Sequence, residues 1–230
     1  MATARKPLKT VRPAPLRARK LGGPKPDGRR ARTETSIRTM IEVAIDIIAL
    51  EGLSHLTMQR VAEKAGMSSA LVVFHFKTKE NLLRSIMQFL DVQYDEQWDR
   101  LVRDESIPLT QRIINCITCA EKFAQQHPKR ISAWIAFFAD RRSAALYRKT
   151  SLPLDWGYIE EARALYGQLA REGGYTKLDV VHFSERVHCM ILGSWVWSHL
   201  NPRQRKKPLL MTNALELLEQ TFPNHFPIKP

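Results

Sequence analysis

The sequence predicts an all-α protein, with a small N-terminal helical domain followed by a larger helical bundle. Two observations point to helices. Apolar residues recur at spacings of three and four along most of the chain, which is the period of one helix face. Cap residues and Gly or Pro stops punctuate these runs at helix-like lengths. A third observation excludes sheets: no stretch alternates apolar and polar residues between hairpin turns. No internal repeat appears along the chain.

Charge separates the beginning of the chain from the rest. Residues 1–32 hold eleven Lys or Arg against one acid, Asp27, so ten of the thirteen net positive charges lie there. Residues 1–33 are also rich in Pro and Gly and lack apolar periodicity, which predicts a flexible basic arm. Such an arm suits a polyanion, because each phosphate it neutralises releases condensed counterions.

From Thr35 the pattern becomes helical, with Ile37, Ile41, Ala44, Ile45 and Ile48 on one face and Gly52 as a left-handed stop. Thr57 is placed to cap a short second helix that buries Val61, Ala62 and Ala65. Gly66 permits a sharp turn, and Ser68 caps a third helix from Ser69 to His75. Thr78 caps a fourth, from Lys79 to about Val102, which buries Leu82, Leu83, Ile86, Phe89 and Leu90. Beyond Pro108, helices are expected over Leu109–Gln126, Ile131–Ala139 and from Pro153 to about Arg171. Thr176 with Asp179 reads as a capping box ahead of a helix ending at Leu200. Leu209–Phe222 is the last. The domains are therefore 1–33 for the arm, 34–94 for the small helical domain and 95–230 for the bundle.

Residues 57–76 form two short helices joined by a glycine turn, the arrangement of a helix-turn-helix. Ala62 and Ala65 allow close helix approach, and the second helix presents its N-terminal residues to a major groove. The strings Thr57…Val61-Ala62…Ala65-Gly66-Met67-Ser68 and Phe74-His75-Phe76-Lys77-Thr78-Lys79-Glu80-Asn81-Leu82-Leu83 resemble the N-terminal domain of TetR-family regulators. The resemblance covers Ile37 to Leu90. It implies a three-helix DNA-binding domain joined to a helical effector-binding and dimerisation domain.

Carried onto this chain, the resemblance assigns DNA contacts to Ser68, Ser69, Ala70, Val73, Phe74 and His75. Gln59 and Thr57 stand where a base or phosphate is reached. Lys79 lies in a helix first turn, where its charge and the helix N-terminus both attract phosphate. Arg29, Arg30 and Arg32 precede helix one, where the family sends basic residues into a minor groove. Two positions depart from the pattern: the family usually has Tyr at Val73 and often Gly or Pro at Ala70. A Val73 on the surface offers apolar contact to a thymine methyl instead, whereas Val72 belongs to the core.

The second half is rich in aromatics. Trp134, Phe137, Phe138, Tyr147, Trp156 and Trp195 are the candidate effector-binding residues. Aromatic side chains in a bundle serve as core, and several together also hold a cation over their faces. This half resembles the BetI branch of the family, which implies a choline-like effector; an apolar or aromatic effector fits the same residues. Asp155, Glu160 and Glu161 are expected to face water. The helices Val180–Leu200 and Leu209–Phe222 are expected to pair with a second copy, which sets two recognition helices about 34 Å apart on a palindromic double-stranded operator.

Other chemistry is set aside. Cys116 and Cys119 form a C-x-x-C within a helical run with no strand before it, so they read as buried small residues. His188 and His199 are about 16 Å apart at helical rise and do not share a metal. No nucleophile–base pair, phosphate loop or carboxylate pair marks an enzyme, and no metal or cofactor is expected. No apolar run is long enough for a membrane span, so the chain is expected in the cytoplasm. The remaining alternative is a helical architectural protein that binds DNA without sequence preference.

Overall fold

The computed structural model describes residues 28–227. Residues 1–27, and the side chains of Arg29 and Arg30, lie outside the described residues, and so does most of the basic arm. Within them the chain runs through α1 (Gly28–Glu51), α2 (Met58–Ala65), α3 (Ser69–Phe76), α4 (Lys79–Trp98), α5 (Leu109–Gln126), α6 (Pro128–Ala139), α7 (Arg141–Thr150), α8 (Leu152–Glu172), α9 (Val180–Leu200) and α10 (Leu209–Thr221), and no strand occurs.

Helix α1 begins at Gly28, so Arg29 to Thr33 are helical rather than part of the arm. The isoleucine face lies as the spacing requires: Ile41, Ala44, Ile45 and Ile48 are buried, and Ile37 packs at the edge of the core. Gly52 ends the helix, but with φ 96° and ψ 159° rather than in the left-handed helical region. That conformation is essentially restricted to glycine. Glu51, just before it, ties α1 to α2 through Arg60 and through Lys64 at 2.5 Å.

Helices α2 and α3 are set by three local devices. The Thr57 hydroxyl accepts the Arg60 N–H at 3.1 Å, and the Ser68 hydroxyl accepts that of Leu71 at 3.2 Å. Between them Gly66 is left-handed (φ 66°, ψ 32°), and the Met67 N–H reaches back to the Ala62 carbonyl at 2.9 Å. This is a Schellman stop, which needs no Cβ at the turn. Val61 and Ala62 are buried, whereas Ala65 is only half-buried. Thr78 caps α4 by accepting the Asn81 N–H at 3.1 Å.

Helix α4 joins the two parts of the molecule. Its first half buries Leu82, Leu83, Ile86 and Leu90. Phe89 is only half-buried, flanked by the guanidinium groups of Arg38 and Arg130 at 6.0 and 5.7 Å. Its second half carries Asp91, Tyr94 and Trp98 into the bundle. The expected domain boundary at 94/95 therefore falls inside a helix. After Trp98 the chain winds through one π-helical turn, Asp99–Arg103, rather than continuing as α-helix to Val102.

In the bundle, α6 begins at Pro128, three residues earlier than the apolar pattern suggested, with Pro in the first turn where its missing N–H costs nothing. Helix α7 was not expected. Its sequence is flanked by Arg141, Arg142, Arg148 and Lys149, and it buries only Ser143 and Leu146. Asp140 starts it by accepting the Ser143 N–H at 2.8 Å. The cap of α9 is Asp179 itself, accepting from His182 at 3.0 Å, not Thr176. Cys116 and Cys119 are buried, and burial raises both thiols above their ordinary range. Among the described residues no His, Cys, Asp or Glu group could hold a metal, and no helix is long and apolar enough to cross a membrane.

Candidate nucleic-acid interface and effector cavity

The surface of α3 follows from its two faces. Val72 and Phe76 point into the core, which leaves Ser69, Ala70, Val73 and Phe74 outward. Val73 is 46% exposed and Phe74 66%, large values for apolar side chains on a folded surface. His75 is half-buried with its ring edge-on to Phe74. Arg32, Ser36, Leu71 and His75 line one shallow groove, so the start of α1 and the end of α3 form a continuous face. Thr57 and Ser68 use their oxygen lone pairs as caps, and their hydroxyl hydrogens remain available to a phosphate.

Two cations and one amide complete this face. Lys79 is exposed and reaches the Leu53 carbonyl at 3.4 Å. Gln59 is exposed but donates to Glu63 at 2.8 Å, and would exchange that bond to reach DNA. Lys77, which sequence reasoning did not single out, holds its ammonium 4.8 Å above the Phe74 ring. Its backbone has φ 64° and ψ −47°, a region that L side chains rarely adopt. The aromatic faces out at the bend, beside a cation.

A narrow cavity of about 70 Å³ lies among α4, α5, α6, α7, α8 and α9. Trp134, Phe138, Tyr147 and Trp195 line it, as expected. Phe137 and Trp156 do not. Phe137 is wholly buried in the core, and Trp156 is turned outward from α8 and half exposed. Tyr94, Trp98, Tyr158 and Tyr166 complete the aromatic wall. Tyr94 and Trp98 were overlooked because α4 was read as part of the DNA-binding unit. Trp134 and Trp195 stack at 5.2 Å, and the Trp195 indole N–H is fixed by the Ala120 carbonyl at 3.1 Å.

The charge balance of this region is uneven. Arg103 pairs with Asp95 at 2.8 Å and with Glu161 at 2.9 and 3.1 Å, so those two acids are compensated. Asp91 and Asp155 also line the cavity, and neither has a Lys, Arg or His partner among the described residues. Each receives one hydroxyl: Ser151 donates to Asp91 at 2.8 Å, and Tyr147 donates to Asp155. Burial pushes the Asp91 carboxyl up to about 7, and burial with the neighbouring Asp91 charge pushes that of Asp155 up to about 8. Asp155 thus faces inward, contrary to the expectation that it meets water. Glu160 is exposed and pairs with Arg163, and Glu161 is half-buried on Arg103. A signal for Asp91 was present, since it follows Met87 by four and precedes Tyr94 by three on the buried stripe of α4.

Comparison with known proteins supports this division. The sequence profile of bacterial regulatory proteins of the tetR family matches residues 40–86. The transcriptional regulator BetI of Klebsiella pneumoniae (strain 342) is 25% identical over 193 residues, covering 81% of this chain and 94% of that protein. A transcriptional regulator of Saccharomonospora viridis solved with choline superposes with a TM-score of 0.65 at 14% identity, over 81% of this chain and 96% of that one. FadR of Bacillus subtilis solved with stearoyl-CoA gives 0.65 at 18% identity, over 79% and 96%. One fold thus accompanies two very different ligands in those two proteins. The helix-turn-helix built on Gly66, the profile that spans it and the similarity to BetI over most of the length agree: residues 40–86 match the DNA-binding domain of tetR-family regulators, and the chain as a whole is similar to BetI.

Proposed function

We propose that this protein is a ligand-responsive repressor that binds a palindromic double-stranded operator as a homodimer and is controlled by an organic cation in the α4–α9 cavity. The observation that carries the effector reading is the pair Asp91 and Asp155, two carboxylates without a cationic partner among the described residues, inside a wall of aromatic faces. Aromatic rings attract a cation through their quadrupole, and a buried carboxylate gains most when a cation restores its ionised form. Choline is the simplest such cation and the first probe to use.

The dimer reading rests on α9 and the start of α10. Val181, Leu192, Val196, Trp197, Leu200 and Leu209 are exposed apolar side chains there, and a Cβ added at Gly193 would meet nothing within 4 Å. Such a face is covered when two copies pair, with α9 and α10 of each forming four helices. A regulator of this kind acts in the cytoplasm, beside the DNA.

Footprinting with and without choline tests the proposal. A specific repressor protects one two-fold symmetric site well above random DNA and loosens its hold when the effector enters. An architectural protein would protect no preferred site, and its binding would fade uniformly with salt; the aromatic cavity has no role in that alternative.

A further inference from the structure

The cavity is long as well as acidic. Its α8 wall is built from Asp155, Tyr158, Ile159, Ala162 and Tyr166, a single stripe whose ends are eleven helical steps apart, about 16 Å at helical rise. Asp91 is held at the Asp155 end, because its partner Ser151 lies one turn before Asp155 on the same helix. Tyr166 stands at the far end, edge-on to Phe183 of α9. Its side chain is 1% exposed and lines the cavity, yet its hydroxyl has no hydrogen-bond partner among the described residues.

An unpaired hydroxyl in a buried position costs about as much as a lost hydrogen bond, so the Tyr166 hydroxyl gains by donating to an acceptor that a ligand brings. Burial keeps Tyr166 in its phenol form, able to donate. His188, on the neighbouring stretch of α9, is held neutral by burial, so no charge competes at that end. At the acidic end, each carboxylate accepts from one protein hydroxyl, which leaves lone pairs for further N–H donors. A quaternary ammonium carries no N–H to give them.

We infer that the cavity is built for an elongated protonated amine, whose N–H groups meet Asp91 and Asp155 and whose apolar body crosses the stacked Trp134 and Trp195 to set a hydrogen-bond acceptor on the Tyr166 hydroxyl. This inference rests on the reading that the cavity takes an organic cation, and it narrows that cation to a class distinct from choline.

Tryptophan-fluorescence titration of the full chain with five probes tests it: N-acetylhexamethylenediamine, hexylamine, hexyltrimethylammonium, choline and the neutral N-hexylacetamide. The acetylated amine should bind about tenfold or more tighter than hexyltrimethylammonium or choline, the range of a charge-assisted hydrogen bond. Tyr166→Phe should lower its affinity about fivefold and leave hexylamine unchanged, because only the neutral hydrogen bond at the far end is lost. Asp155→Asn should weaken both amines; a thermal melt of each variant confirms that it folds. If choline or hexyltrimethylammonium matches the acetylated amine, or Tyr166→Phe has no effect on it, the inference falls while the cation reading stands. If no cation outbinds N-hexylacetamide and Asp155→Asn changes nothing, both readings fall.

Discussion

Arg130, in the first turn of α6, donates to Glu42 of α1 at 3.2 Å. Lys129 beside it pairs with Asp46 at 2.9 Å, and the Arg130 guanidinium also lies over Phe89 of α4. The other end of α6 places Trp134 and Phe138 in the cavity. One short helix therefore touches the aromatic cavity at one end and the DNA-binding unit at the other. Arg130→Ala should lower stability by about 1 kcal/mol, since half-exposed ion pairs and cation–π contacts are each worth about that or less. Hydrogen exchange should rise in α1 and not in α8. Equal rises in both helices would mean that the contact holds no particular junction.

Lys79 and Val73 should behave differently on DNA. Lys79→Ala should weaken binding to every sequence and reduce the salt slope by about one, as loss of a single phosphate contact does. Val73→Ala should change which operators bind, by about 1–3 kcal/mol at the affected base pair. Fluorescence anisotropy across an operator library and a salt series measures both. Identical profiles for the two variants would remove the distinction between positioning and reading.

Lys77 separates stability from function. Its positive φ is unfavourable for an L side chain, and glycine removes that penalty. Lys77→Gly should therefore keep or raise the melting temperature while weakening DNA binding through loss of the ammonium beside Phe74. A lower melting temperature would show that the contact with Phe74 outweighs the backbone strain.

The acids of the cavity give stability a pH dependence. Asp91 and Asp155 hold their protons up to about 7 and about 8 in the folded chain, against 3.8 ordinarily, so between those limits the folded state binds more protons than the unfolded. Stability from these groups is complete below the ordinary carboxylate range and is lost as pH rises through 7 to 8. His188, lowered by burial, acts in the opposite sense on the acid side. Comparing wild type with Asp155→Asn isolates the carboxyl: between about pH 6 and about pH 9 the melting temperature of wild type should fall further than that of the variant. Parallel curves would show that Asp155 titrates in its ordinary range.

The helix-turn-helix was legible because its signals are local. Thr57, Gly66, Ser68 and Thr78 each act on backbone groups within a few residues, so the chain order states the structure. The cavity was legible only in part, because its members come from six helices and a sequence does not say which faces converge. Aromatic type alone brought in Phe137 and Trp156, which point elsewhere, and passed over Tyr94 and Trp98. Helix α7 went unseen because its buried face is two residues between cationic flanks, too narrow a stripe for periodicity to register.

The continuity of α4 bears on how such a molecule can be rebuilt. This rod of twenty residues, about 30 Å long, is foundation for the operator reader at one end and ceiling of the sensing chamber at the other. Excising the reader at Tyr94 would strip Leu90 and Met87 of cover and leave a stump without its roof. A chimera that grafts this reader onto a foreign sensor must therefore transplant α4 whole, π turn included, and choose a recipient able to accept Asp91, Tyr94 and Trp98 into its own interior.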